Sequence, residues 1–460
     1  MNQSKKNKHM NQSKRLILIF YCTLFCGLHT KAQKNEKAVE SIPVYQNDPK
    51  LEWFRDAKFG LFMHWGPSSV KGTEIGWSRQ DHPYDHPGNG PFVPNEEYDN
   101  LYKKFNPVKF DADAWMKLAK KAGFKYIVFT AKHHDGFSNW HTKLRDYNIA
   151  NTPFKRDICK ELSDAANKYG LRLGWYYSTR DWSHPDYHAG DNKKYNDFYE
   201  GQVRELLTNY GKVDIMWFDH TAGSWGDYTI LQLFEMMYDL QGNDLLVNNR
   251  AARFIKRKEG KIYEPDTPEL KKLVLGDFDT PEQKIGKFQT DRAWESCMTM
   301  NKCEKGSGGG WSYRPECSTI TYKEAVHTLV HTVVGDGNLL LNVGPMPTGE
   351  FPADQVSVLK KMGKWLNKNG ESIYGTRGGP VRNGEWGGMT FKDNKIFVHI
   401  LKWPEDGSPL ILPALDQKII GSKGLNVKNP SIVQTPEGVR IELAEKNRDL
   451  IDSIIILEID

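Results

Sequence analysis

Up to about residue 375 the chain repeats one theme. Short apolar runs at Phe59–Trp65, Tyr126–Ala131, Leu171–Tyr177, Val213–Asp219, Leu245–Asn249 and Asn338–Val343 read as strands. Between them, Asp111–Ala122, Asp157–Lys168, Tyr195–Asn209 and Tyr322–Val334 space their apolar residues as amphipathic helices do. Strands alternating with helices predict a parallel α/β architecture. A closed (β/α)8-like barrel over residues 51–375 fits the length, and an open doubly wound sheet shares the pattern.

The strand ends favour the barrel. Polar and aromatic clusters close nearly every run: His64-Trp65-Gly66, His133-His134-Asp135-Gly136, Tyr176-Tyr177-Ser178, Trp217-Phe218-Asp219 and Asn248-Asn249-Arg250. Barrel enzymes distribute their chemistry over many strand ends, whereas an open sheet concentrates it at one crevice behind a glycine-rich turn. No G-x-G-x-x-G follows a strand here. From residue 376 to 460 the period changes to short alternating runs separated by Gly, Pro, Asn and Asp, which predicts an antiparallel β-sandwich.

The N-terminus stands apart. Lys5, Lys6, Lys8, Lys14 and Arg15 precede an apolar run, Leu16–Leu28, and small residues at Thr30 and Ala32 suit cleavage before Gln33. That is the three-part pattern of a signal peptide over residues 1–32, implying export to a periplasmic or extracellular space, with 33–50 as a linker. Removing it turns the formal net charge from +5 to −1, so a basic, nucleic-acid-binding surface is not implied. A hydrophobic fraction of 38% and six Cys exclude a multi-span membrane protein and a small disulfide scaffold. Of the Cys left after cleavage, the Cys297–Cys303–Cys317 cluster allows one bridge without choosing the pair.

Carboxylates, histidines, Arg and aromatics at strand ends suit a polar ligand with flat apolar faces, such as a sugar. Asp219 is either the N-cap of the next helix or a nucleophile aimed into the barrel mouth. Trp217 shares its side of the strand and suits core or platform. His64, His133 and His134 gather at one rim. A zinc hydrolase competes with a sugar pocket, yet no H-x-H occurs, and His327/His331 at i, i+4 lack the Glu of H-E-x-x-H. Lys256-Arg257-Lys258 reads as a solvated run, and Gly306–Gly310 as a loop carrying Trp311 toward the pocket.

Several segments together resemble the α-L-fucosidases of glycoside hydrolase family twenty-nine. They are Lys58-Phe59-Gly60-Leu61-Phe62-Met63-His64-Trp65-Gly66, Ala131-Lys132-His133-His134-Asp135-Gly136-Phe137, Gly174-Trp175-Tyr176-Tyr177-Ser178, Trp217-Phe218-Asp219, Gly276-Asp277-Phe278-Asp279-Thr280-Pro281-Glu282, Trp294-Glu295-Ser296-Cys297-Met298 and Gly337-Asn338-Leu339-Leu340-Leu341-Asn342-Val343-Gly344-Pro345. The resemblance implies a retaining exo-glycosidase without metal or cofactor, acting on a fucosylated oligosaccharide or glycoconjugate. Position by position it implies Asp219 as nucleophile and Glu282 as acid/base, with Glu295 as rival. It implies His64, His133, His134, Tyr176, Trp217 and Arg250 as sugar-binding residues, with Trp311, Glu74 and Trp77 as further candidates. In retaining enzymes the two carboxyl groups stand about 5–5.5 Å apart, and an acid is expected in partly apolar surroundings. An α-L-galactosidase and a non-catalytic glycan-binding protein remain the alternatives.

Overall fold

The computed structural model describes residues 40–80, 92–187, 192–219, 230–251, 275–304 and 310–460. The expected signal peptide, Lys256–Lys258, Gly306–Gly309 and most of the Asp81–Pro94 insertion lie outside them. Seven strands, β1 (Phe59–Met63), β2 (Tyr126–Lys132), β3 (Arg172–Ser178), β4 (Ile215–Asp219), β5 (Leu246–Val247), β6 (Glu295–Thr299) and β7 (Asn338–Val343), pair in parallel in the order β5-β4-β3-β2-β1-β7-β6.

The two edges of this sheet are joined by residues 277–283. On one side Asp277 N donates to Val247 O at 2.7 Å and Asn249 N to Phe278 O at 2.9 Å. On the other, Asp279 N donates to Ala293 O at 3.0 Å and Cys297 N to Pro281 O at 3.1 Å. This irregular segment is the stave that closes the barrel, so the open-sheet alternative falls. Neither it nor β6 stood out as an apolar run, because Asp279, Thr280, Pro281, Glu295 and Ser296 break the hydrophobic pattern.

Strand alternation sorts side chains between two cores. Phe62, Tyr126, Val128, Tyr176, Ile215, Trp217, Leu246, Phe278, Cys297 and Leu340 fill the interior. Their neighbours, including Leu61, Met63, Ile127, Phe129, Trp175, Met216, Leu339 and Leu341, pack outward beneath the helices. Both faces are therefore buried, which is why β1 and β7 read as continuous apolar runs. Helix boundaries follow their caps. Asp111 accepts from Ala114 N at 2.9 Å, Asp157 accepts from Lys160 N at 2.9 Å, and Thr321 with Glu324 forms a capping box.

The C-terminal region has a five-stranded antiparallel sheet facing a three-stranded one. Met389, Ile396, Val398, Leu412, Val439, Ile441, Ile455 and Leu457 interdigitate between them. His327, half of the helical pair considered as a metal site, places Nε2 2.8 Å from Ile451 O of this region. Residues 40–48, read from sequence as part of a linker, are held in place. Glu40 bridges to Leu415, Tyr45 donates to Gly378 O at 2.5 Å, and the first helix begins at Pro49. Among the described residues no helix is long and apolar enough to cross a membrane.

One interior position is tightly constrained. A Cβ on Gly60 would lie 2.3 Å from the Tyr126 ring, so glycine there makes room for the aromatic opposite. Gly60→Ala is expected to destabilise the fold by about 1–3 kcal/mol through overpacking. Urea unfolding measures it, and an unchanged midpoint would show that Tyr126 swings aside freely.

Candidate active site

Because alternation directs residues 215, 217 and 219 of β4 to one side, Asp219 rises above Trp217 at the C-terminal mouth of the barrel. Its side chain is 10% exposed. Tyr176 OH donates to Oδ2 at 2.8 Å, Arg250 Nη1 donates to Oδ1 at 3.0 Å, and His134 Nε2 lies 3.6 Å from Oδ2. The carboxylate thus accepts from donors on β3 and in the turn after β5, with the His134 ring beside it.

Arg250 organises the rest. Its Nε and Nη2 donate to the Oγ1 and O of Thr280 at 2.9 and 3.0 Å, and its guanidinium lies 4.8 Å from the Trp217 ring centroid. The same Nη1 that holds Asp219 is 2.9 Å from Glu282 Oε2. Burial alone would favour the neutral side chain, but Asp219 and Glu282 outweigh it and keep Arg250 charged beyond its usual range. Glu282, 43% exposed, meets this guanidinium and solvent rather than the apolar surroundings expected of it. The cause is the closing segment, which brings Glu282 and Thr280 to the same arginine.

Aromatic rings form the walls. Trp217 stacks on Tyr176 at 5.5 Å and 20°, and Tyr176 stacks on His133 at 5.5 Å and 6°. His64 lies 5.6 Å from His133 and 4.9 Å from Trp311, while Trp77 meets His134 edge-on at 5.3 Å. His64 Nδ1 is 2.7 Å from Asn342 Oδ1, an oxygen that can only accept, so the proton is on Nδ1 and Nε2 is left as an acceptor. Burial lowers the His64 pKa to about 4, so the ring is neutral near pH 7.

Two candidate carboxyls stand behind these walls. Glu74 is fully buried and accepts from Trp311 N at 3.1 Å, with Arg314 3.8 Å away. Glu295, also fully buried, accepts from Trp217 Nε1 at 3.0 Å and from Tyr126 OH. Burial raises both pKa values to about 7 despite these donors. Glu295 therefore props the Trp217 platform with both oxygens engaged, and Glu282 is the carboxyl that meets solvent. The structure also brings in Thr280, Asn342, Ser178 and Trp182, which sequence reasoning passed over. Asn342 shares the inward parity of Leu340, and Ser178 ends β3 2.6 Å from His134 Nδ1; both signals were available. Cys303 pairs with Cys317, and buried Cys297 is free.

A model of the family described as Alpha-L-fucosidase matches residues 23–371. The chain belongs to this family. Tissue alpha-L-fucosidase of Rattus norvegicus is 30% identical over 418 residues, 83% of this chain and 84% of its own. Alpha-L-fucosidase isoenzyme 1 from Paenibacillus thiaminolyticus superimposes with a TM-score of 0.75 at 32% identity, covering 90% of this chain and 99% of its own. A family twenty-nine α-L-fucosidase from Bacteroides thetaiotaomicron, trapped as a covalent intermediate with 2-fluoro-fucosyl fluoride, gives 0.75 at 26% identity over 92% of this chain and 98% of its own. The chain is accordingly a glycoside hydrolase with α-L-fucosidase activity.

The raised pKa of Glu295 has a consequence for stability. A carboxyl whose pKa rises on folding contributes fully below its unfolded value near 4.5, and the contribution is lost as pH rises through about 7. Wild-type melting temperature should therefore decline between pH 5 and 8, and Glu295→Gln should flatten that decline. Calorimetry across this range checks it; equal slopes in both proteins would mean that Glu295 does not titrate there.

Proposed function

We propose that the chain is an exo-acting, retaining α-L-fucosidase that removes terminal α-L-fucosyl residues from oligosaccharides or glycoconjugates by double displacement. One observation carries the mechanism. Asp219 and Glu282 each place an oxygen within 3.0 Å of the same Arg250 nitrogen, so those oxygens are under about 6 Å apart. That bound accommodates the about 5–5.5 Å of a retaining pair, a nucleophile and an acid acting on one bond.

In the first step an Asp219 oxygen bonds the anomeric carbon while the glycosidic C–O bond breaks. Glu282 gives its proton to the departing oxygen. In the second step water attacks the same carbon, Glu282 takes its proton, and the ester to Asp219 is released. Arg250 and Tyr176 favour the ionised nucleophile by donating to it. Neutral His64 offers Nε2 to a sugar hydroxyl, and Trp311 supplies an apolar wall for the C5 methyl. Burying that methyl is worth only about 1 kcal/mol, yet a hydroxymethyl there would lose its water contacts. The trapped covalent intermediate of the Bacteroides relative supports the same route.

Asp219→Ala should lower kcat on an aryl α-L-fucoside by at least about a thousandfold, with azide restoring turnover as a glycosyl azide. Near-normal activity in this variant would refute the nucleophile assignment. Glu282→Ala should slow substrates with poor leaving groups far more than activated aryl fucosides, because only the former need the proton. Equal losses on both would remove Glu282 from the acid role.

Export through residues 1–32 belongs to the same proposal. The Cys303–Cys317 bridge supports it, since disulfides persist in oxidising compartments. N-terminal sequencing of the secreted protein should begin at Gln33; a chain retained in the cytoplasm with residues 1–32 intact would refute this.

A further inference from the structure

Outside the barrel, the hairpin at Trp386 and the turn Trp403–Ser408 line an open groove of about 510 Å³ on the sandwich. That volume lies within the roughly 300–1,000 Å³ of small-molecule sites and accepts a short oligosaccharide. None of its lining residues belongs to the catalytic cluster. Two half-buried tryptophans, Trp386 and Trp403, line it, and Glu385, Glu405, Asp406 and Lys402 surround them.

The tryptophans are held in place. Arg448 lies 4.4 Å from the Trp403 ring centroid, and Trp403 Nε1 is 3.3 Å from Ser453 Oγ. The Trp386 carbonyl accepts from both Leu401 N and Lys402 N, at 2.8 and 3.2 Å. Beside it Gly387 has φ +132, and a Cβ there would sit 1.9 Å from His399 O, so this close approach of the hairpin requires glycine. The acids, in contrast, are only loosely engaged: Asp406 accepts from Ser408 N at 2.9 Å, and Glu385 and Glu405 share one ammonium. Lys402 Nζ stands 3.6 Å from Glu385 and from Glu405, beyond hydrogen-bond distance, and their side chains are 91% and 87% exposed.

We infer that this groove is a second carbohydrate site, one that binds a neutral oligosaccharide segment. Fixed indoles offer flat apolar surface to the C–H face of a pyranose at little entropic cost. Exposed carboxylates are strong acceptors for sugar hydroxyls, and Glu385, Glu405 and Asp406 against Lys402 and Arg448 leave a net negative charge that disfavours an anionic glycan. The inference extends the proposed function without depending on Asp219 or Glu282.

Isothermal titration of the full chain with lacto-N-tetraose, a neutral glycan without fucose, and with its sialylated form provides the test. The neutral glycan should bind, and the sialylated form should bind more weakly. Trp386→Ala and Glu405→Ala should each weaken binding about tenfold, an effect of 1.4 kcal/mol, while kcat and KM on an aryl fucoside stay unchanged. Glu405 is exposed enough that its removal leaves the fold intact. Absence of binding by the wild type would overturn the inference. So would binding that both variants retain, tighter binding of the sialylated form, or displacement of the glycan by a proline-rich peptide.

Discussion

A single guanidinium ties the mouth of the barrel together. Arg250 reaches β4 through Asp219, the closing segment through Thr280 and Glu282, and the interior through the face of Trp217. Only a planar, permanently charged fork can serve these partners at once; a lysine would supply a point charge without the stacked face. Burial makes the arrangement mutually dependent. Removing Asp219 strips a buried cation of one of its two anions, and removing Arg250 takes from the buried carboxylate its charged donor. The two carboxylates and the side chain of Thr280 on the closing segment therefore converge on one residue in the turn after a two-residue strand.

That dependence explains which parts of the molecule could be read from sequence. β1 and β7 are buried on both faces by hydrophobic neighbours, so their residues announce them. β6 is buried almost throughout and segment 277–283 at Phe278 and Thr280, but their inward positions carry Glu295, Thr280 and Glu282, whose partners are distant in the chain. A polar residue in a strand erases the pattern by which strands are recognised. The same limit governs Glu74 and Glu295. Motif position put them near a sugar, yet whether a carboxyl faces solvent or props a tryptophan depends on tertiary packing. Helix ends fared better because Asp111, Asp157 and Thr321 act on backbone amides within their own turn.

The buried carboxyls also reveal a cost accepted for geometry. An apolar residue beneath Trp217 would fill the barrel without desolvating a charge, but the indole N–H would then lose its acceptor. Glu295 receives that N–H and the Tyr126 hydroxyl together, fixing ring and strand in one orientation. Trp217 in turn supports Arg250 and stacks on Tyr176, which donates to Asp219. The placement of the carboxylate therefore begins with a group that never touches solvent.

The opposite wall is built on a different principle. Trp311 comes from a loop between Cys303 and Cys317, so it cannot borrow the rigidity of the strands. Its base is closed covalently, which limits how far the loop can stray, and its tip is fastened by buried polar contacts. Glu74 accepts from Trp311 N, Asn342 Nδ2 donates to Trp311 O at 2.6 Å, and Ser312 Oγ lies 2.9 Å from Thr73 O and 3.0 Å from Ile75 N. Asn342 also holds His64, so the wall and this histidine share one amide. A displacement of the loop would release both. On the roles proposed for Trp311 and His64, apolar fit and hydroxyl recognition are coupled, so neither can relax to admit a wrong sugar without loss of the other, and selectivity follows from rigidity more than from any single contact.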